Sequence, residues 1–442
     1  MPFDIWALVT VADRGIKPIW AVGALFIAAV FVNLCSGRLK LKVSATGTAL
    51  LIFNVIALLS LANLVNTSPS HLVDFGSLWV QLAFVTLLFF TVTSLDLSEA
   101  QFRRVLQVWI GLAFVLSLYA LYQVAARPLD LPLAYLPILN PSMGGGPITR
   151  GGAAFGPFVR PSSVFAEPSF FGSYLISPLF LTAMFWLYRE RVGGFLFPHR
   201  LASWLVFVTI ALAFLFTFSM GAYAAVGGAI LIMLLNGRLL PKLVTYGILL
   251  ILGLALIGWA TELMVGTNFT RVAVVRGAAL VSSLDNPTEG ADIESPYART
   301  GSLKKRFQRA RAGLTVWAEQ PLTGVGLNNF AHYYPDDVAP RLHTGLVQAL
   351  AEMGVIGALG LGALFMAAFA QLRRGVQLAN MRPYEWAVLI SFYYSLWAFA
   401  IDILIARGWA FESFWFTLAL AILALHWAIG QHRRRVREAQ AS

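Results

Sequence analysis

Apolar runs long enough to cross a bilayer recur along almost the whole chain, and no other feature of the sequence narrows the fold so far. A hydrocarbon core of about 30 Å takes about 20 apolar residues per helix. Eleven runs reach or approach that length: 18–36, 47–65, 76–95, 105–125, 169–188, 201–218, 221–235, 243–265, 346–369, 386–404 and 414–430. Within lipid the backbone has to satisfy its own hydrogen bonds, so each run is read as a helix. The chain is 58% hydrophobic and 12% charged, a balance foreign to soluble domains. The fold class is therefore an all-α polytopic membrane protein of about 11–12 transmembrane helices, with a long, partly helical outer loop.

The runs 201–218 and 221–235 meet at Ser219 and Met220. One continuous helix of about 35 residues would overshoot the bilayer, so the chain is expected to turn sharply there. Lys and Arg fall on one side of the alternation: Arg38, Lys40 and Lys42; Arg103 and Arg104; Arg189, Arg191 and Arg200; Arg238 and Lys242; Arg373, Arg374 and Arg382; and the tail HRRRVRE. That side is read as cytoplasmic, with the C-terminus on it. The net charge of +11 is then mostly topology, and its scatter over six short segments argues against a nucleic-acid surface. The N-terminal MPFDIWALVTVADRGIK is too short to span, has no cleavage pattern and is read as interfacial or re-entrant. The lone Cys35 excludes an internal disulfide and a multi-cysteine metal site.

Three regions follow: an N-terminal bundle, 1–265, interrupted by an outer loop, 126–168; a large outer loop, 266–345; and C-terminal helices with a basic tail, 346–442. Loop 126–168 is rich in turn formers and is expected to be irregular, packed or mobile. It ends in RPSSVFAEPSFF, which sets Arg160 and Glu167 just before a membrane helix. In the second loop, SSLDNPTEGADIESPYARTGS has few large apolar residues and reads as flexible chain. LKKRFQRARAGLTVWAEQ then places Leu303, Phe307, Ala310, Leu314 and Trp317 at helical spacing, with Lys304, Lys305, Arg306, Arg309 and Arg311 in the early turns. That is a basic amphipathic helix, which composition alone would assign to the headgroup interface.

The order that follows is more specific. Arg306, PLTGVG, Asn329 with Phe330, His343, and Glu352 with Gly354 and Gly357 together resemble the superfamily of O-antigen ligases and Wzy-type O-antigen polymerases, which are membrane glycosyltransferases. Two positions depart from the pattern: Thr344 stands where the family often has Asn, and Ser219-Met220-Gly221 where it often has Ser-Arg-Gly. The resemblance implies transfer of a glycan from undecaprenyl diphosphate to an acceptor hydroxyl at the periplasmic face of the bacterial inner membrane, without a cofactor. The implied partners are the undecaprenyl-diphosphate-linked oligosaccharide, an acceptor that is a lipid-linked repeat unit or lipid A core, membrane lipids and, as an option, a chain-length regulator. Nucleic acid is not among them. The segment R-x-S-S-x-F-x-E-P-S is similar to the Arg and Glu-Pro pattern of repeat-unit polymerases, which makes polymerase the first reading and ligase the alternative. A lipid-linked glycan transporter would also explain many helices, but it predicts ionisable groups deep in the bundle. Asp402, Glu262 and Glu352 fall instead near the outer ends of runs. A non-catalytic assembly subunit is a third class.

Site residues follow from that chemistry. A diphosphate leaving group needs cations, and the planar guanidinium donates paired hydrogen bonds to phosphate oxygens. Arg160 and Arg306 are the expected ligands, with Arg309 or Arg341 assisting. Headgroup anchoring is the alternative for Arg160. A sugar hydroxyl also needs a base, for which Glu167 and His343 are the candidates. Glu167, expected to be partly buried beside Pro168, would equally suit a helix N-terminus. Neutral His343 could accept the proton, and protonated His343 could bind the diphosphate. Glu352 either orients a site residue or joins a helix–helix network. Tyr174, like Tyr297, Tyr333 and Tyr334, offers a ring to a sugar, although interfaces gather aromatics anyway. Asp402, Arg407 and Glu412 surround GWAFES and are expected to form an ion-pair network. Carboxylates and histidines lack metal-ligand spacing, Asp336 with Asp337 being the nearest case, so no metal is expected.

Overall fold

Ten of the eleven apolar runs fold as helices in a computed structural model, which describes residues 5–11, 14–64, 68–140, 146–147, 154–155, 158–236, 301–333, 342, 344–378, 381–406, 408–409 and 411–441. In chain order the helices are α1 (Pro18–Cys35), α2 (Ala45–Leu59, continued by a 3-10 turn, Ser60–Leu64), α3 (Pro69–Thr93), α4 (Glu99–Ala126), α5 (Pro168–Leu187), α6 (Arg189–Val192), α7 (Arg200–Phe216), α8 (Met220–Leu235), α9 (Gly301–Glu319), α10 (Phe330–Tyr333), α11 (Gly345–Val376), α12 (Pro383–Ile405) and α13 (Glu412–Ala441). Among the described residues, eight helices are long and apolar enough to cross a membrane, and α7 and α8 are shorter apolar helices. The run 243–265 lies outside the described residues. Strands are confined, among those residues, to three small antiparallel pairs: Val9–Val11 with Arg14–Ile16, Pro137–Ile138 with Gly146–Pro147, and Ala154–Phe155 with Phe158–Val159.

Local chemistry sets the helix starts. Proline occupies the first turn of α1, α3, α5 and α12, where its missing N–H has no intrahelical partner to lose. Ser44 Oγ accepts from Gly47 N at 3.0 Å at the head of α2, and Ser98 with Gln101 forms a reciprocal capping box on α4. Helices α5, α12 and α13 are largely enclosed, whereas only 6% of the α1 span is buried. The first three are the centre of the bundle and α1 is a peripheral helix.

The cationic segments gather at one end. Lys42 pairs with Asp96 at 2.6 Å, Arg382 with Glu99 at 3.4 Å, and Gln107 donates to Leu196 O at 2.9 Å. Arg435 grips the fully buried Glu385 through two bonds of 2.6 and 2.8 Å. This pairing holds the last turns, so the basic tail continues α13 to Ala441 as a helix. Five of the six cationic segments thus share one end, here the basic end; Arg238 and Lys242 lie outside the described residues.

The opposite end carries the loops. Near the N-terminus Ile5 meets the described part of the first long loop, with Leu139 N and Asn140 N donating to Ile5 O at 2.8 and 2.9 Å. Helices α7 and α8 are separated by residues 217–219 alone, with Phe218 at φ 45°, which is the sharp turn the sequence requires. Helix α11 is broken at Gly354, whose φ of 66° and ψ of −165° are not helical.

Candidate active site

The end of α4 organises the RPSSVF segment. Gln123 accepts from Ser162 N and Ser163 N at 3.2 and 2.8 Å and donates to Ser163 O at 3.3 Å. Ser163 Oγ reaches Leu116 O at 2.9 Å. Arg127, one turn beyond Gln123, donates to Ala134 O at 3.1 Å and also to the carbonyl of Arg160. Residues 161–165 are buried by these contacts, so a loop rich in turn formers is packed here. The half-buried Arg160 then crosses to the α7–α8 turn, where its Nε donates to Thr217 O at 2.6 Å.

That turn rests on α5 and α12. Gly172 abuts Thr217 Oγ1 and Ser219, Ser173 Oγ donates to Asp402 Oδ2 at 2.7 Å, and Gly221 faces Asp402 Oδ1. Asp402 is 1% exposed, a carboxylate set beneath the turn that Arg160 reaches. Glu412 pairs with Lys17 at 2.8 Å and accepts from Trp20 Nε1 at 3.2 Å, tying α1 to α13; Arg407, the cation of the expected Asp402–Arg407–Glu412 network, lies outside the described residues.

Glu167 is the residue before α5 and is exposed rather than partly buried, because the chain rises out of the packed 161–165 segment to enter the helix. Its carboxylate accepts from Ser169 Oγ at 2.9 Å and caps no backbone N–H. Tyr174 is 5% exposed and packs on Phe165 at 5.3 Å, so its ring belongs to the core rather than to a sugar surface.

A second group surrounds the break in α11. PLTGVG lies across it, with Val325 N and Gly326 N donating to Ala351 O and Glu352 O at 3.0 and 2.9 Å, and Val355 N donating back to Pro321 O at 2.9 Å. Asn63 of the 3-10 turn donates to Thr323 O and Gly324 O at 3.0 and 2.8 Å, clamping the loop from its other side. Asn329 is fully buried and donates to Leu327 O at 2.9 Å, while Phe330 enters a small core with Ala312, Val316 and Leu342. Both residues therefore shape the loop. His332 bonds Asp74 at 3.0 Å and stacks on His71, which fastens the loop to α3. Glu352 is 3% exposed and accepts from Gln348 at 3.2 Å; Gln348 in turn abuts Gly408, just past the C-terminal end of α12.

Helix α9 forms as expected, but over residues 308–319, where its side chains are described, it buries a different face. Ala312, Gly313 and Val316 meet Leu342 and Val347, whereas Leu314 of the expected stripe is 42% exposed. Small residues let two backbones approach, and that closeness outweighs the bulk of Leu314. Arg309 is half-buried on α9, and the backbone of Arg306 lies one turn earlier in the same helix. Arg341 and His343 lie outside the described residues; their neighbours Leu342, which is buried, and Thr344, which precedes α11, belong to this second group.

The C-terminal end of α12 joins the groups: Asp402 touches the Arg160 turn and Gly408 touches Gln348. Phe170 stacks on Phe411 at 5.9 Å, bringing the start of α5 to the same place. Two contributors escaped the sequence reading. Arg127 is a cation just past the end of an apolar run, and Gln123 is one of two amides within that run. Either anomaly was a usable signal.

Residues 205–362 match the family model Wzy_C, described as O-antigen ligase. The matched span contains the α7–α8 turn, α9, PLTGVG and the broken start of α11, and it begins after Arg160 and Glu167. No curated protein matches the chain. Together with the helical bundle, this match makes the chain a membrane protein whose residues 205–362 form a segment similar to the Wzy_C O-antigen ligase family.

Proposed function

We propose that the protein moves a glycan from undecaprenyl diphosphate to a sugar hydroxyl at the periplasmic face of the inner membrane, as a polysaccharide or O-antigen repeat-unit polymerase. The observation that carries this reading is Arg160, held at 2.6 Å from Thr217 O at the very turn where the family pattern has Ser-Arg-Gly and this chain has Met220. The guanidinium that the pattern places on the turn is supplied here from the RPSSVF segment.

In the proposed step the acceptor oxygen bonds to the anomeric carbon as the bond to the diphosphate oxygen breaks. Charge accumulates on the diphosphate, where Arg160, Arg306, Arg309 and Arg341 act, while the acceptor proton passes to Glu167 or His343. The exposed Glu167 supports a role at the acceptor side, since it is open to an incoming hydroxyl. Asp402 and Glu352 support the two groups from beneath. We read the transfer as metal-independent from the donor set in the sequence, with activity expected to survive chelation; loss restored specifically by Mg²⁺ or Mn²⁺ would overturn that point.

The description of the matched model favours a second reading, a ligase that moves finished polymer to lipid A core. Purified protein supplied with lipid-linked repeat units alone, and then with lipid A core added, separates the two. A ladder of lipid-linked products without core identifies a polymerase, and product formed only on core identifies a ligase. No turnover in either arm would refute the transferase reading.

A further inference from the structure

Arg127 is an unusual investment for a membrane protein. It stands just past α4, is 6% exposed, and has no carboxylate partner among the described residues. Removing a cation from water without a counter-charge costs several kcal/mol, so neutral residues normally fill such places. Burial pulls its guanidinium down to about 10, which still leaves it charged at neutral pH. What offsets the cost is a set of backbone carbonyls. Nε donates to Ala134 O at 3.1 Å, Nη1 reaches Val159 O at 3.4 Å and the Arg160 carbonyl, and the Tyr135 ring lies 5.2 Å away. Nη2 is buried with no hydrogen-bond partner among the described residues.

The targets of these bonds matter more than their number. Val159 and Arg160 are the last residues before the buried PSSVF stretch, whose remaining polar backbone is held by Gln123, one turn earlier on the same helix. Gln123 therefore fixes Ser162 and Ser163, and Arg127 fixes the carbonyl of Arg160 itself. From that anchored carbonyl, the Arg160 side chain spans to Thr217 O. The chain of contacts runs from the rigid end of α4, through Arg127, to the Arg160 backbone and on to the α7–α8 turn.

We propose that Arg127 is a positioning residue of the diphosphate site, which sets the place of Arg160 by holding its carbonyl. The proposal rests on the reading of Arg160 as a phosphate contact. A three-carbonyl grip needs the fork of arginine, because lysine offers a single nitrogen and glutamine no charge. Displacing a catalytic contact by about 1 Å can cost on the order of 100-fold in rate, so loss of Arg127 should be visible in turnover.

The test compares Arg127→Gln, Arg127→Lys, Arg160→Lys and the double variant Arg127→Gln/Arg160→Lys, in full-length protein reconstituted with lipid-linked repeat units. Arg127→Gln is expected to lower kcat on the order of tenfold or more, with Arg127→Lys close behind it. The double variant should turn over within about twofold of Arg160→Lys alone, because Arg127 acts through Arg160. A double variant whose loss equals the product of the single losses would overturn the proposal, since two residues acting independently give that result. Wild-type turnover in Arg127→Gln beside an impaired Arg160→Lys would overturn it while leaving the diphosphate site intact. Wild-type turnover in Arg160→Lys would remove the site reading and this proposal with it. If neither Arg127 variant yields folded protein while Arg160→Lys does, Arg127 is structural and the proposal fails.

Discussion

Gly324 and Gly354 each lie against the backbone just before the other across the break in α11. A Cβ on Gly324 would stand 2.4 Å from the Glu352 carbonyl carbon, and one on Gly354 would stand 2.2 Å from the Leu322 carbonyl carbon. Both residues have φ of +66°, a region L side chains rarely adopt. The Pro-Leu-x-Gly-x-Gly and Glu-x-Gly elements are therefore two halves of one interlock. The loop can lie on the helix only where the helix opens, and the helix opens only where the loop supplies hydrogen bonds to the released groups.

Alanine at either position should part the halves. A strained backbone of this kind costs about 1–3 kcal/mol before any clash is counted. Gly324→Ala and Gly354→Ala are each expected to lower the thermal midpoint of the purified protein and to abolish transfer. Their combined cost should fall short of the sum, because one interface is lost in either case. Thermal denaturation in detergent, read beside a turnover assay, checks this; an alanine variant with the wild-type midpoint would show that the segments are not interlocked.

Arg160→Lys and Arg306→Lys keep a charge and lose the fork. Each is expected to lose about 2–4 kcal/mol of transition-state stabilisation, by analogy with removal of one oxyanion donor. Arg191, at the basic end, is a control in which the same change should leave turnover within about twofold. Comparable losses at all three positions would point to a general effect on the membrane protein instead of a diphosphate site.

Topology can be read by thiol labelling, and the structure refines which positions to use. Cys35 is exposed and has to be replaced first. Cysteines at Gly145 and Asn286 should label from the periplasm, and one at Ala439 should not. Gly375 would be an unsuitable cytoplasmic reporter, since its Cβ would meet Leu425 Cδ1 at 2.3 Å. Labelling of Asn286 and Ala439 positions from the same side would overturn the proposed orientation.

What the sequence made legible was whatever depends on one segment at a time. The apolar runs became helices, and the lack of any linker at Ser219 became the sharp α7–α8 turn. The face of α9 was not legible, because periodicity weighs bulk and this helix packs through Ala312 and Gly313. The pairing of Glu412 with Lys17, 395 residues away, was not legible either, since nothing local records it. The same limit applies to the site. Arg160 and Glu167 stand out by type and place, but only the fold shows Thr217 beside one and open surroundings at the other.

The base is the remaining assignment, and Glu167 and His343 make distinct predictions. Glu167 has an exposed carboxylate with Ser169 as its hydrogen-bond donor. Glu167→Gln keeps the size and one acceptor oxygen but takes no proton at working pH, so a general base lost this way should cost about 10²-fold or more in turnover. His343→Ala is expected to be as damaging whether the imidazole removes the proton or binds the diphosphate, and the two roles separate by pH. A neutral imidazole acting as base loses activity as pH falls and it protonates, whereas an imidazolium on the diphosphate loses activity as pH rises. Turnover of Glu167→Gln near the wild-type rate, together with a dead His343→Gln, would move the base to His343 and weaken the likeness of the RPSSVFAEPS segment to polymerases. If Arg306→Lys, Glu167→Gln and His343→Ala all insert normally and still transfer glycan at the wild-type rate, the chemistry lies elsewhere in the bundle, and the buried Asp402 beneath the α7–α8 turn is the first carboxylate to substitute next.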